Sequence, residues 1–264
     1  MHIPKPQYST NLNDKQWRQI EKLVPAPKPG GRPVKHTRRR IVDGILYIVK
    51  AGCQWHMLPK DFPPYKTVFH YYAKWAREGL WRLIHDCLRG QVRRNAGRKP
   101  SPSAAILDSQ SVKHADSSEQ IGYDAGKKIK GRKPHLPVDT MGLVLALLVT
   151  GADVQDRDGA KLLLSQCWFL FGRWQVIWAD SGDLGKLVGW VKSLRPSGKL
   201  HLEVVARAAG GGFRLVRKRW IVKRTFSWLY KSRRLCRDYE HKPQHSEAMI
   251  YIAMTHLMLR RLAR

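Results

Sequence analysis

The stretch Ala104-Ala105-Ile106-Leu107-Asp108-Ser109-Gln110-Ser111-Val112 is an apolar run that ends in a single acidic residue. Its apolar residues are consecutive and lack helical spacing, which is typical of a buried strand. A second run, Trp174-Gln175-Val176-Ile177-Trp178-Ala179-Asp180, also ends in an aspartate, and Ser181 and Gly182 then interrupt it. We therefore predict two buried strands, each of which delivers one carboxylate at its end.

These two aspartates allow two interpretations. Mg²⁺ prefers oxygen ligands and usually takes one or two protein carboxylates together with substrate phosphates, so Asp108 and Asp180 are candidate metal ligands. Alternatively, each aspartate merely opens the turn that follows its strand, which is an ordinary position for this residue. The residues alone leave both interpretations open.

The composition indicates a globular protein with a polyanionic partner. The chain has 264 residues, of which 43% are hydrophobic, so it can bury a sizeable core in one large domain or two small ones. Its formal net charge is +29, with 49 Lys and Arg against 20 acids. Such an excess of positive charge favours nucleic acid as the partner.

The start of the chain, its longest apolar run and its cysteines predict the cellular compartment. The start Met1–Pro6 lacks the apolar core of a signal peptide, and the apolar run Gly142–Ala152 is too short to span a bilayer. The four cysteines lie far apart without paired spacing, which favours reduced thiols over a disulfide framework or a zinc site. We expect a soluble cytoplasmic protein that makes no membrane contact and is associated with the nucleoid.

The N-terminal part reads as a helical unit. A helix is predicted with its N-cap within Asn11-Leu12-Asn13-Asp14, another from about Thr37, and a third capped by Thr67, joined by proline-rich connections. Residues 1–100 hold 21 Lys and Arg against 6 acids, so a helix-turn-helix-like DNA-binding arrangement is favoured over a solvated bundle. A polar linker at 93–102 divides a helical domain, 1–96, from a core at 101–264.

The second part reads as an α/β layer fold. Strands are predicted near His135–Asp139, Leu143–Val149 and Leu200–Ala206, and helices at 184–193, 218–237 and 244–262. Because proline cannot donate to a ladder, Pro134 and Pro137 predict that the strand at His135 is an edge strand or is damaged. Asp156 or Asp158 is expected to cap a helix that reaches Leu170.

Basic clusters give candidate phosphate contacts. Arg214–Arg237 contains ten Lys and Arg and no acid, whereas a solvated helix normally mixes both signs. The candidate DNA-binding residues are Arg38, Arg39, Arg40, Lys127, Lys128, Lys130, Arg132, Lys133, Arg217, Lys218, Arg219, Arg224, Arg233 and Arg234.

Several strings resemble one protein family. Ala104–Lys113, Gly122–Lys133, Val138-Asp139-Thr140, Ala152–Ala160 and Trp178-Ala179-Asp180 occur in the order found in bacterial insertion-sequence transposases of the DDE class, insertion sequence five type. The resemblance covers nearly the whole chain. It implies a ribonuclease-H-like mixed sheet flanked by helices, with an N-terminal all-helical helix-turn-helix-like domain.

The resemblance also implies a reaction and its partners. Such transposases bind the inverted-repeat ends of their element and a target DNA, act as homo-oligomers, and cleave and join strands with two Mg²⁺ or Mn²⁺ ions held by Asp, Asp and Glu. Asp108 and Asp180 match the first two ligands. Lys223 stands where the glutamate is expected, and an ammonium has no acceptor lone pair.

Lys223 therefore leaves alternatives open. Asp183 is the better substitute ligand, since Glu240 lies several helical turns further along the chain. Lys223 could instead orient a nucleophile or stabilise phosphate charge in a working centre. The main alternative is a transposase-derived protein that holds DNA without cutting it. A basic RNA-associated protein would explain the charge but not the paired aspartate strands.

Overall fold

A computed structural model of the chain describes residues 8–26, 35–115, 118–180, 185–195, 198–205 and 217–263. The helices in this part are α1 (Asp14–Ile20), α2 (Arg38–Ala51), α3 (Tyr65–Arg77), α4 (Leu80–Asn95), α5 (Asp156–Cys167), α6 (Gly185–Leu194), α7 (Arg217–Tyr230) and α8 (Pro243–Leu262). The strands are β1 (Ala104–Ser109), β2 (Val112–Lys113), β3 (Gly122–Asp124), β4 (Ile129–Val138), β5 (Leu148–Gly151), β6 (Val176–Asp180) and β7 (His201–Val205).

The chain divides into two compact units. The first contains Met1–Gly97, Tyr230–Cys236 and Gln244–Arg264, and the second contains Arg98–Leu229 and Arg237–Pro243. The first unit thus holds α1 to α4 and nearly all of α8, whereas the sequence-based division assigned all of 101–264 to the core. The functional division into domains 1–96 and 101–264 remains a prediction.

Local capping explains where the first helices begin. At α1 the Asn13 side chain accepts from the Gln16 backbone N–H at 2.9 Å, and the Gln16 side chain accepts from the Asn13 N–H at 3.0 Å. This reciprocal capping box satisfies two donors that the helix itself leaves unpaired. Thr37 caps α2, as its sequence predicted, and Gly52 ends that helix with φ of 72°.

Helices α3 and α4 are joined by a tight turn. Gly79 adopts φ of 70°, which a residue without Cβ reaches at no steric cost. The α3 face formed by Val68, Tyr72 and Trp75 is buried, and the Trp75 ring lies 6.0 Å from the Trp81 ring of α4. Aromatic packing of this kind fixes the two helices against each other.

The second unit contains a mixed sheet with strand order β2-β4-β1-β6-β7, and β3 and β5 also pair with β4. Strands β1, β6 and β7 are parallel, whereas β4 runs antiparallel to β1. On one face, alternate β1 residues such as Ala105 and Leu107 pack with the apolar sides of α5 and α6. Val222 of α7 and Ile106 of β1 both line a pocket at the strand ends. The fold is therefore mixed α/β, with a mixed sheet flanked by helices.

Strand β4 is interior, so the prediction of an edge or damaged strand was wrong. It pairs with β1 and β2 in one continuous register and also with β3 and β5. The Pro134 carbonyl accepts from Gln110 N, between β1 and β2, and the Pro137 carbonyl accepts from Leu145 N, before β5 begins. In an antiparallel ladder, the N–H and C=O of one residue point toward the same neighbouring strand. The N–H groups that Pro134 and Pro137 lack would therefore face the gap between β1 and β2 and the segment before β5, where the neighbouring strand is interrupted.

Other boundaries also differ from the predictions. The polar segment 113–133 contains β3 and the first half of β4, and the strand predicted at 143–149 begins only at Leu148. The N-cap of α5 is Gln155, not Asp156 or Asp158, which lie in the first turn, where their charge suits the helix dipole. Helix α7 ends at Tyr230 rather than near residue 237. No helix in the described part is both long and apolar enough to cross a membrane.

Candidate active site

The parallel pairing of β1 and β6 places two carboxylates side by side. The register pairs Leu107 with Ala179, so Asp108 and Asp180 follow at adjacent positions on neighbouring strands. Both side chains line one pocket at this edge of the sheet. The prediction that these aspartates lie close together is confirmed, although their sequence positions are far apart. Ligands of α/β folds bind in the crevice at such strand ends.

The pocket combines apolar walls with three charged groups. Its walls come from both aspartate strands, from β7 and from α7, and its lining residues are Ile106, Leu107, Asp108, Trp178, Ala179, Asp180, Val205, Arg219 and Val222. The apolar walls lower the local polarity, which strengthens charge interactions inside the pocket.

The environment of Asp108 disfavours its ionised form. The pKa of Asp108 is raised to about 6, chiefly by burial; the charges of Asp180 and Asp156 act in the same direction, whereas the Ser109 N–H bond and the Lys127 charge oppose the shift. The Ser109 N–H donates to the Asp108 carboxylate at 2.8 Å. A cation held between the two aspartates would therefore relieve both burial and like-charge repulsion.

Asp180 has a cation partner within the chain. The Arg219 guanidinium donates to the Asp180 carboxylate at 2.5 Å, with side-chain exposures of 21% and 37%. Arg219 had been assigned to DNA contact; in this conformation it lies in the pocket beside the acids. Lys223, one helical turn further along α7, is exposed and does not line the pocket. Among the described side chains that line the pocket, Arg219 is thus the one that carries positive charge.

Lys218, the neighbour of Arg219, is also engaged. Its ammonium lies 4.0 Å from the centre of the Trp178 ring and 3.3 Å from Glu203, to which the Trp178 indole N–H also donates at 2.6 Å. Lys218 thus packs along the aspartate strand β6 through a cation–π contact. The side chain of Arg217 and all of Asp183 lie outside the described residues.

A second polar cluster lies beside β1, and sequence reasoning missed it. The Ser109 hydroxyl donates to Asp156 at 2.7 Å, and the Lys133 ammonium lies 3.1 Å from the same carboxylate and 3.6 Å from Asp124. Because Ser109 follows Asp108 on one strand, their side chains point to opposite faces of the sheet. In the sequence, the sign that Asp156 and Asp180 lie on different faces of the sheet is the alternation of side chains along β1.

Two predicted phosphate contacts near this cluster are wrong. Arg132 is fully buried and donates to the Glu119, Glu240 and His241 carbonyls, and it pairs with Asp238 at 3.1 Å. Lys133 is 5% exposed and donates to the Val154 carbonyl at 2.8 Å. Both side chains satisfy buried acceptors, so neither is available to a DNA backbone.

The remaining predicted contacts fall into two groups. Exposed side chains that still qualify are Lys127, Lys128, Lys130 and Arg233. Arg234 is 7% exposed and donates to the Cys53 carbonyl, so its assignment was wrong. Arg224 lies over the Trp228 ring at 4.8 Å and donates to the Met141 carbonyl.

The arginines that begin α2 are held within the first unit. Arg38 donates to the Glu21 and Val24 carbonyls, Arg39 pairs with Asp14 at 2.6 Å, and Arg40 donates to the Asp61 carbonyl. Three cations at a helix N-terminus oppose the helix dipole and need compensating oxygen atoms. The chain itself supplies the compensating oxygen atoms.

The described part of the pocket offers two carboxylates as possible metal ligands. Asp108 and Asp180 give the one or two carboxylates that Mg²⁺ commonly takes from a protein. No group of three or more side chains from His, Cys, Asp and Glu within the described ranges is arranged to hold a metal ion. Among the described residues, the carboxylates that line the pocket are therefore those of Asp108 and Asp180, and Arg219 is paired with the second.

Two family models match the chain. The model described as "Transposase DDE domain" matches residues 99–259, and the model described as "Putative transposase of IS4/5 family" matches residues 12–85. The first match includes both aspartates and α7, and the second includes α1 to α3 and the start of α4.

Two curated proteins are similar to parts of the chain. The chain is 29% identical over 119 residues to the insertion element IS402 uncharacterized 16.2 kDa protein of Burkholderia cepacia, covering 42% of this chain and 78% of that protein. It is 30% identical over 69 residues to the uncharacterized protein y4sN of Sinorhizobium fredii, covering 26% of this chain and 55% of that protein. No solved structure matches the chain significantly.

Proposed function

The chain belongs to the DDE transposase domain family, and from this premise we propose that it binds the ends of an insertion sequence and catalyses metal-dependent DNA cleavage and strand transfer. The observation that carries the proposal is the pairing of β1 with β6, which puts Asp108 and Asp180 in one pocket. Paired acids at the ends of parallel strands suit a cation that engages substrate phosphates.

Each group in the pocket would have a distinct task. Asp108 and Asp180 would hold Mg²⁺ or Mn²⁺, which supplies Lewis acidity to the reacting phosphate. Burial of Asp108 keeps competing water away from its carboxylate. Arg219 carries a planar guanidinium suited to phosphate oxygens, so it would stabilise negative charge on the substrate. A second ion, as the family implies, needs a ligand beyond this acid pair.

The proposal extends to architecture and assembly. We propose that the mixed sheet is ribonuclease-H-like and that the N-terminal helices act as a helix-turn-helix-like DNA-binding domain, with the functional boundary at 96–101. Duplex DNA, first the inverted-repeat ends and then a target, would be the partner. A homo-oligomer is expected because reaction at two ends requires two active sites.

An alternative is a DNA-binding protein that no longer cuts. Lys223 replaces the third expected carboxylate, and Arg219 already neutralises Asp180. Loss of one ligand weakens whichever ion it held, and the exposed ammonium of Lys223 has no acceptor lone pair with which to replace it. DNA would then be bound with high affinity but cleaved slowly or not at all.

A nicking assay separates these alternatives. The substrate is duplex DNA from the sequences that flank the gene, with Mg²⁺ or Mn²⁺, and Asp108→Ala gives the background. We expect Lys223→Glu to nick more than the natural chain, because it restores the missing carboxylate. If the natural chain cuts above background and the variant cuts no better, Lys223 belongs to a working centre. If both bind DNA and neither cuts, the non-cutting alternative is correct.

A further inference from the structure

Helix α3 carries a row of basic side chains on one face. Lys66, His70, Lys74 and Arg77 follow one another at spacings of four, four and three residues. At about 100° per residue, these positions fall within roughly 80° of each other around the helix axis. The buried residues Val68, Tyr72 and Trp75 lie on the opposite side. We call this row the α3 basic face.

The α3 basic face is accessible to solvent and has no ion-pair partner within the described part of the chain. Lys66, His70 and Arg77 are exposed, and Lys74 is half-buried. The α3 sequence Tyr65–Arg77 contains no acidic residue. Among the described residues, no acid forms an ion pair with any of its four basic side chains. Helices in contact with water alone normally carry compensating acids at neighbouring turns.

The basic residues at the start of α2 differ from those of the α3 basic face. Arg38, Arg39 and Arg40 are bonded to oxygen atoms of the first unit itself, so they stabilise packing. The N-terminal half of α3 also exposes two aromatic rings, Tyr65 at 38% and Phe69 at 40%. Cations with exposed aromatic rings on one rigid helix are suited to a phosphate backbone and adjacent groove.

We propose that the α3 basic face is the surface of the first unit that contacts duplex DNA, in place of the arginines at the start of α2. This inference rests on the proposed function, since it names where that function's DNA partner is held. Charge complementarity selects the partner: an acid-free face fits a polyanion and repels a basic protein surface. The rigid packing of Val68, Tyr72 and Trp75 keeps the face in place.

The test compares two double variants of the full chain. Lys66→Gln with Arg77→Gln removes two charges from the α3 basic face, and glutamine preserves helix propensity. Lys15→Gln with Lys22→Gln removes two exposed charges from α1 and the turn after it, as the matched control. Binding to a mixed-sequence 30-base-pair duplex is measured by fluorescence anisotropy over a salt series, and circular dichroism verifies folding.

We expect the α3 variant to lose roughly 50-fold in affinity at 0.1 M salt, because each lost phosphate contact costs nearly tenfold there. The slope of log K against log salt should decrease by about 2. The control should change affinity less than threefold. Equal losses in both variants would refute the inference while leaving the proposed function intact.

Two further outcomes are decisive. If the natural chain binds no duplex DNA, the proposed function fails and this inference fails with it. If a structured RNA hairpin displaces duplex DNA, and the α3 variant loses affinity for the hairpin alone, the face is an RNA surface and the inference is wrong. Lys74→Gln added to the α3 variant should lower duplex affinity again by nearly tenfold.

Discussion

At the scale of single residues, Arg219 decides what Asp180 can bind. The pair is separated by 2.5 Å, yet the Asp180 side chain is 37% exposed, so solvent weakens the interaction. Partly exposed ion pairs contribute about 0 to 1 kcal/mol. Arg219 is therefore a competitor that a metal ion can displace, and it does not close the site permanently.

We expect Arg219→Gln to raise Mn²⁺ affinity without DNA by a factor of about two to five. The gain follows because the metal no longer displaces a guanidinium from Asp180. Lys223→Gln is the matched control, since it removes a charge one turn away that does not touch Asp180. Electron paramagnetic resonance of free Mn²⁺ measures both. Equal gains in the two variants would indicate a general effect of charge and contradict specific competition.

Asp43 gives the first unit a dependence on pH. It is 3% exposed and accepts from the Leu12 N–H at 2.8 Å. Burial raises its pKa from the ordinary value near 3.8 to about 6, although that hydrogen bond and the charges of Arg39 and Arg40 oppose the shift. The folded chain thus holds a proton between pH 4 and 6 that the unfolded chain has released.

We expect Asp43→Asn to flatten this dependence. Because the pKa of Asp43 is higher in the folded chain, its contribution to the free energy of unfolding is greatest below about pH 4. This contribution falls as pH rises to about 6 and is level above that. The variant keeps the acceptor for Leu12 and avoids the buried charge, so it should gain up to about 3 kcal/mol above pH 6. Urea titrations at pH 4, 5 and 7 measure the effect. A gain independent of pH would refute the titration of Asp43.

The acids of the site could be read from the sequence, but their cation could not. Asp108 and Asp180 end apolar runs, and parallel strands bring such ends together. Which charge of α7 points inward depends on the rotation of that helix against the sheet, and Val222 and Arg219 fix that rotation. The order of Lys and Arg along α7 does not specify this rotation.

At the scale of elements, glycine shows how closely α5 approaches the sheet. A Cβ at Gly159 would lie 2.1 Å from the His135 ring of β4, whereas a Cβ at Gly189 of α6 would meet nothing within 4 Å. Both glycines lie inside helices. The same substitution therefore has opposite consequences at the two positions.

We expect Gly159→Ala to destabilise the chain by about 1 to 3 kcal/mol, because the ring and helix must separate. Gly189→Ala should stabilise it by about 0.5 to 1 kcal/mol through backbone entropy alone. Thermal unfolding followed by circular dichroism compares the two variants. Stabilisation by both would mean that α5 can move away from β4 without cost.

Helix starts that depend on local capping could be predicted from the sequence. The position of a strand in the sheet could not, because it depends on pairing with distant strands. Asn13 and Thr37 mark helix starts because capping is a local interaction. Pro134 and Pro137 misled the prediction for β4, since their tolerance depends on gaps between β1, β2 and β5 that exist only in the folded sheet. Long-range register is invisible to any rule that examines one segment at a time.

At the scale of the whole molecule, part of the positive charge serves contacts within the chain. Arg132, Lys133 and Arg234 are buried, and the arginines that begin α2 are bonded to acceptors of the chain. We therefore propose that exposed basic side chains make the DNA contacts, such as Lys127, Lys128 and Lys130 with the α3 basic face. The net charge of +29 acts beyond these contacts as a field that attracts a polyanion.

This charge predicts duplex binding that depends steeply on salt and not on metal. If the chain neutralises about 6 to 10 phosphates, affinity should fall by roughly 10³ to 10⁵ between 50 and 200 mM salt, because each contact releases counterions. EDTA should leave the affinity unchanged, since cations of the protein, not the aspartates, hold the backbone. Asp108→Asn should match the natural chain at every salt concentration, because it alters the metal site alone. Anisotropy titrations in NaCl with and without EDTA measure these effects. Affinity insensitive to salt, or abolished by EDTA, would show that the acid pair rather than the basic surface holds the DNA.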